Sequence, residues 1–351
     1  MFRAIDKWLL PYLLRKRTRF PDGGHLVISV CDHFEPFHHT DKAGALERVA
    51  AWDRGFRQLA GEFRDSDGQP PRHTFFYPVE QYDPDVVEGI AKICRKTGSE
   101  VEVHLHHEDD DAGSLGALIE QGKRDLREHG LLCEDGRFAF IHGNWALDNS
   151  HPEGKHCGVS GELEALRRAG CFADLTMPSA PSPTQTRTIN SIYYATSTPE
   201  PKSHDRGEPA GATTRGHRDD PQKLLMVQGP LAPNWGWRKF GILPRVENGD
   251  LTGANPPTEN RLQVWQRIAA RLDERQDVVF VKLHTHGAIE RNSEMLLGRA
   301  MREFHQLLAS SGIRYHYASA REMVNIIHAI EDGSTAAPGE LRDYLFQKNP
   351  A

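Results

Sequence analysis

Short apolar runs alternate along this chain with longer stretches in which apolar residues recur at helical spacing. Runs too short for a helix and bounded by Gly, Pro or Asp read as buried strands, whereas recurrence at i, i+3, i+4 and i+7 marks one face of a helix. Strands are therefore expected over 26–31, 74–77, 101–106, 138–141, 172–176, 224–227, 278–284 and 313–317. Helices are expected over 43–64, where Leu46, Val49, Ala50 and Phe56 lie near one face, from Asp83 to Gly98, and over 113–129, 161–169, 258–272, 293–311 and 319–332. Asp83 and Ser319 have the character of N-caps, Pro84 of a first helical residue, and Gly98, Gly130, Gly170 and Gly312 of stops.

Strand and helix alternating over most of the length imply a parallel sheet or barrel. With seven or eight strands and no clear linker, the fold class expected is α/β, a single distorted (β/α)7–8 barrel over 25–332. Three connections stand out. Residues 178–186 are rich in Pro and Ser, 196–222 form a polar, glycine-rich loop expected to be mobile or folded over the mouth, and 229–257 have the composition of a long ordered loop. Residues 333–351 read as a loosely held tail.

At 351 residues, 38% hydrophobic, 26% charged and a net charge of -6, the chain has an ordinary soluble composition with a core of useful size, and no basic bias toward nucleic acid. Five cysteines without zinc-finger spacing argue against a disulfide framework and for a reducing, cytoplasmic location. The segment 1–24 is treated apart. Its apolar stretch from Trp8 to Leu14 is too short to span a bilayer, and Arg15, Lys16, Arg17 and Arg19 follow where a signal peptide would offer a cleavage site. It reads either as a helix covering one end of the domain or as a basic amphipathic segment touching a membrane surface through residues 8–19.

Three of the strand-like runs end in metal-competent side chains. The run 101–106 leads through His104 and His106 into His107, Glu108, Asp109, Asp110 and Asp111. Alternate strand residues face one way, so His104 and His106 are expected on one side and His107 on the other, unless the strand has already ended. Imidazoles two apart beside carboxylates suit a divalent ion such as zinc. The run 26–31 leads into Asp32, His33 and Glu35, and the run 278–284 ends in His284 with His286 two residues on. Sites of parallel α/β folds form at the C-terminal ends of strands, where all three groups lie. His38 and His39 are expected at the surface, and Asp109 to Asp111 as a solvated turn opening a helix.

Taken in order, these motifs resemble the polysaccharide deacetylases of the NodB-homology type, carbohydrate esterase family 4 and its wider superfamily, over about residues 25 to 330. Ser29-Val30-Cys31-Asp32-His33 stands where that family has a strand ending in paired aspartates. Thr74-Phe75-Phe76 matches its second strand, Glu102 to His107 its histidine motif, and Leu283-His284 its late strand. The resemblance implies a metal on one aspartate and two histidines, an aspartate base and a late histidine acid. By position, Asp32 and His104 are then ligands and His284 the acid. Cys31 takes the place of the base, unless Asp32 is itself the base and His33 the ligand. The family's two histidines are usually four apart, which would pair His104 with Glu108, whereas strand geometry pairs it with His106. The family's Arg-Pro-Tyr-like third motif is absent, with His142-Gly143-Asn144-Trp145 in its approximate place, and these departures mark the resemblance as that to a divergent branch.

The resulting expectation is a metal-dependent hydrolase that removes acetyl groups from a polysaccharide or amino sugar. Zinc on Asp32, His104 and His106 would activate a water, with Asp32 or Glu35 as base and His284 or His286 as acid. His142, Asn144, Trp145 and Trp235 would contact carbohydrate, with Trp237 as a further stacking surface. Two other readings fit the residues. One is a deacetylase-like barrel that binds carbohydrate or an assembly partner without turnover, which Cys31 favours. The other is an amidohydrolase-like enzyme, whose His-x-His motif usually lies on the first strand.

Overall fold

Residues 4–133 and 135–348 are described by the computed structural model. A first helix, α1 (Ile5–Leu14), buries Trp8 against Ala180 and Leu231 and leaves Leu10, Leu13 and Leu14 exposed. The βα rhythm read from the sequence then runs through β1 (His25–His33), α2 (Lys42–Glu62), β2 (Thr74–Pro78), α3 (Pro84–Thr97), β3 (Glu100–Leu105), α4 (Ala112–Glu128), β4 (Phe138–His142), α5 (Glu162–Arg168) and β5 (Cys171–Asp174). The caps act as their chemistry requires. Asp83 accepts from the amides of Asp85 and Val86, and Gly98 ends α3 at φ 71°. Asp111 forms a capping box with Ser114, so the acidic run after β3 opens α4.

The second half is less regular. β6 (Ile192–Thr196), β7 (Glu208–Pro209) and β8 (Lys223–Val227) precede a hairpin of β9 (Ala232–Lys239) and β10 (Leu243–Glu247). Then come α6 (Glu259–Ile268), β11 (Val278–Thr285), α7 (Glu290–Leu297), α8 (Arg299–Ser310), β12 (Arg314–Tyr317) and α9 (Ala320–Glu331). The single helix expected over 293–311 is broken at Gly298, where a Cβ would lie 2.2 Å from the Glu294 carbonyl oxygen. β6, although Ile192–Thr196 has strand composition, and the β9–β10 hairpin, whose mixed polar and aromatic content is that of a loop, were not among the expected elements.

The sheet is mostly parallel, with strand order β11-β1-β2-β3-β4-β5-β8-β6-β7 and β12 added to β1. β6 pairs antiparallel with β8 and β7. This is the expected α/β class, but the ladder does not show the closed (β/α)7–8 barrel. Its end members are β11 and β7, and the free side of β11 is bonded instead by the loop at 249–251, through His284 N to Gly249 O (3.0 Å) and Leu251 N to His284 O (2.8 Å).

Both faces of the sheet are buried. Leu26, Ile28 and Val30 of β1 pack with α2 and α3 in an outer core, whereas Val27 and Cys31 join Phe76, Ala139, Ile141 and Phe280 in an inner one. α9 fills that inner core with all twelve of its residues buried. Where composition led us to expect a loosely held tail, the described part of 333–351 is docked on α9. Asn325 donates to the carbonyls of Arg342 and Phe346, and Phe346 stacks on Phe172 at 4.4 Å. The polar loop 196–222 is anchored as well, by Ser203 N on Asp148 (2.6 Å), Lys202 on the Gln185 carbonyl (2.7 Å) and Arg218 on Asp332 (2.8 Å).

Candidate metal centre

Side-chain alternation along three parallel strands delivers the histidines to one place. In β1 the inner face carries Val27 and Cys31, and the same parity puts His33 on that side. In β11, Val278 and Phe280 face inward, and His284 and then His286 continue the series. In β3 the outward residues are Val101, Val103 and Leu105, so His104 and His106 turn inward. Ring centroids record the convergence: His33 lies 4.9 Å from His104 and 4.7 Å from His286, and His104 lies 4.5 Å from His106.

Glu35, just past β1, reaches into this group. Its Oε1 is 3.3 Å from Nε2 of both His104 and His106 and 3.8 Å from Nδ1 of His286. His33, Glu35 and His104 each offer a ligand atom, all within 4.8 Å of one another. His104 Nδ1 donates to the Ile141 carbonyl at 2.8 Å, which leaves Nε2 as the atom that faces Glu35 and is placed to bind an ion. His33 Nε2 is buried with no hydrogen-bond partner among the described residues. A buried ring nitrogen without a partner is costly, and an ion bound to it would relieve that cost.

The electrostatics separate these groups. Burial alone would raise the Glu35 pKa, but hydrogen bonds with His104 and His106 outweigh it and hold the carboxylate ionised well below the usual range. His106 resists its own burial because Glu35 and Glu80 flank its ring; its Nδ1 is 2.8 Å from Glu80 Oε1, and its pKa is pushed up to about 9. His33 is held well below its ordinary value by burial and then by the neighbouring imidazoles, and His286 is lowered by burial, which Glu35 only partly offsets. Of the donors, His33 and Glu35, though not His104, line a cleft of about 420 Å³ together with His38, His106, Asn144, Trp145, His286 and Ile289. Gly143 leaves room for this arrangement, since a Cβ there would lie 2.4 Å from the His106 ring.

Not every expected site residue arrives here. Asp32 has the opposite parity from His33 and points outward. Its carboxylate is fully buried and accepts from His73 Nε2 (2.8 Å) and Gly287 N (2.6 Å) beside Trp52, so both oxygens are taken on the far side of the strand. His284 sits beneath the cleft, 6.3 Å from His33 between ring centroids, and does not line it. His142 faces outward, 4.7 Å from His107. Asn144 and Trp145 line the cleft, but Trp235 is 58% exposed on the β9–β10 hairpin, and Trp237 lines a separate hollow with Arg245 and Asp250. Glu80 and His73 went unread in the sequence, since each acts through a partner more than 25 residues away, 26 and 41 respectively.

No family model and no curated protein sequence matches this chain. Among solved structures it is similar to the crystal structure of a "putative polysaccharide deacetylase from Mycobacterium smegmatis", at 13% identity and a TM-score of 0.48, over 91% of this chain and 94% of that one. So distant a likeness decides nothing about the chemistry, which rests on the geometry above. Among the described residues no helix is long and apolar enough to cross a membrane.

Proposed function

We propose that the cleft holds a divalent metal ion, zinc by the character of its donors, on His33 Nε2, His104 Nε2 and the Glu35 carboxylate, and that the protein is a metal-dependent hydrolase acting on acetylated polysaccharide or amino sugar. The observation that carries this reading is the meeting of those three ligand atoms within 4.8 Å at the ends of β1 and β3, with an open cleft in front. Two imidazoles and one carboxylate with a free position are a catalytic rather than a closed donor set. The acetyl substrate is supported by the order of strand-end motifs in the sequence, which resembles that of the polysaccharide deacetylases.

When bound, the ion supplies Lewis acidity and a water whose pKa falls from 15.7 toward about 7. The chain supplies the rest. His104 keeps its proton on Nδ1, against the Ile141 carbonyl, and so presents Nε2 as a donor. His286, kept neutral by burial, takes a proton at Nδ1, the ring atom that faces Glu35. His106, kept protonated by Glu80 and Glu35, gives a proton to the departing amine or alkoxide. Two histidines whose surroundings push their pKa values apart are suited to complementary base and acid roles. Trp145 offers a flat face for a sugar ring, and Asn144 a hydrogen-bonding edge.

A second reading is binding without turnover. The engagement of Asp32 by His73 favours it, together with a Cys31 thiol that burial pushes up to about 11, so that neither residue is free to act as base. Acetate release from acetylated oligosaccharides, measured with zinc, cobalt or manganese added, separates the two. Release that disappears in His104→Ala together with its metal supports the hydrolase. Metal binding without release supports the binding protein, and the absence of both removes the metal centre.

A further inference from the structure

We propose that the chain carries a second metal site, structural and closed, in which a zinc ion is held by His107, His142, Cys157 and Glu162 on the face of β3 and β4 opposite the cleft. All four side chains are buried, and their ligand atoms lie within 4.8 Å of one another. His107 Nε2 is 3.1 Å from Glu162 Oε1, His142 Nε2 is 3.7 Å from the same oxygen, and Cys157 Sγ is 3.2 Å from Glu162 Oε2. Donors bound 2.0 to 2.3 Å from a tetrahedral ion stand about 3.4 Å apart, a spacing that the two histidine nitrogens already keep from Glu162 Oε1, while Cys157 comes to the carboxylate's other oxygen.

The second observation is an orphaned atom. His142 is fully buried, its Nδ1 is engaged by the Gly143 carbonyl, and its Nε2 faces Glu162 with no hydrogen-bond partner among the described residues. That tautomer puts a lone pair on Nε2, which a carboxylate oxygen cannot satisfy and a cation can. Asp110 Oδ2 lies 3.3 Å from His107 Nδ1, close by but without a hydrogen bond, so that this ring nitrogen too is buried with no hydrogen-bond partner among the described residues. Glu162 Oε2 also accepts from the Asp148 amide at 2.5 Å, which orients the carboxylate so that Oε1 is left for the ion. A mixed nitrogen, sulfur and oxygen set, closed to solvent, is that of a structural zinc.

The location gives the ion a task. His142 stands at the start of the connection from β4 to α5, Cys157 near its end and Glu162 at the first turn of α5, and that connection carries Asn144 and Trp145 into the cleft. An ion joining both ends would set where those two residues stand.

Cobalt(II) loading of the full chain tests this, because cobalt bound to a thiolate shows a near-ultraviolet charge-transfer band and the cleft contains no cysteine. The expected result is one equivalent of metal giving the band in the wild type, with Cys157→Ser losing both the band and one equivalent of zinc by elemental analysis. His104→Ala should keep the band, so failure of the cleft as a metal centre is read separately. If Cys157→Ser does not fold, the wild type decides alongside His142→Ala, which should weaken zinc retention under a competing chelator at least 100-fold. No band in the metal-loaded wild type, or a band and zinc count unchanged in Cys157→Ser, would show that the quartet is a hydrogen-bond network and overturn the proposal.

Discussion

His106 and His107 are neighbours in the chain that serve opposite faces of the sheet: His106 Nδ1 meets Glu80 Oε1 at 2.8 Å over the cleft, and His107 Nε2 meets Glu162 Oε1 at 3.1 Å in the buried cluster behind it. One strand end thus feeds two groups of donors.

The pH dependence of turnover should carry the signature of His106. Its pKa is raised to about 9 by Glu35 and Glu80 against the effect of burial, so the acid form is present at neutral pH and is lost as pH rises through about 9. Glu80→Gln removes one of the two carboxylates, and the alkaline limb of kcat should move to lower pH. A limb left in place in the variant would take His106 out of the acid role.

Asp32 is expected to behave as a structural partner and not as a ligand. Asp32→Ala leaves the His73 ring and the Gly287 amide buried without their acceptor, and removing one member of such a pair costs about 3–5 kcal/mol. Chemical denaturation should show that loss while metal content at the cleft stays at the wild-type level. A variant of near-normal stability that has lost its metal would reverse the assignment.

Gly143→Ala should damage the cleft without emptying it. The added Cβ would sit 2.4 Å from the His106 ring and 2.8 Å from the Leu105 carbonyl oxygen, an overpacking worth about 1–3 kcal/mol in stability. Because His33, His104 and Glu35 are untouched, kcat should fall more than metal occupancy. Equal loss of both would place His106 among the ligands.

Asp174 should make the fold less stable as pH rises. It is fully buried, and burial raises its pKa from 3.8 to about 7, only partly countered by hydrogen bonds from Thr176. An acid whose folded pKa is raised contributes stability below its unfolded pKa and loses that contribution as pH climbs to the folded one, here from about 4 to 7. The shift corresponds to about 4 kcal/mol at most. In Asp174→Asn the unfolding free energy measured between pH 5 and 8 should therefore fall less with pH than in the wild type. Parallel curves would show that the carboxyl is already ionised in the fold.

Much of the fold was legible because it is written locally. The apolar runs that became β1 to β5, β8, β11 and β12, and the caps at Asp83, Asp111 and Ser319, depend on neighbours within a turn or two. The placement of His104 and His106 together follows from alternation in a single strand. The same rule could not choose between Asp32 and His33, because β1 is buried on both faces and its sequence carries no polar side to mark the outside.

By itself, then, the chain's pattern determined the α/β class, the succession along the chain of eight of the strands and which strand ends bear metal-competent side chains, since periodicity and capping are short-range properties. Only the tertiary structure decided that His33 and Glu35 meet His104 while Asp32 turns away to His73, that Cys157 and Glu162 come to His107 and His142, and that the tail docks on α9. Those contacts join residues tens of positions apart. They are selected by how the whole core packs, and no local pattern encodes that.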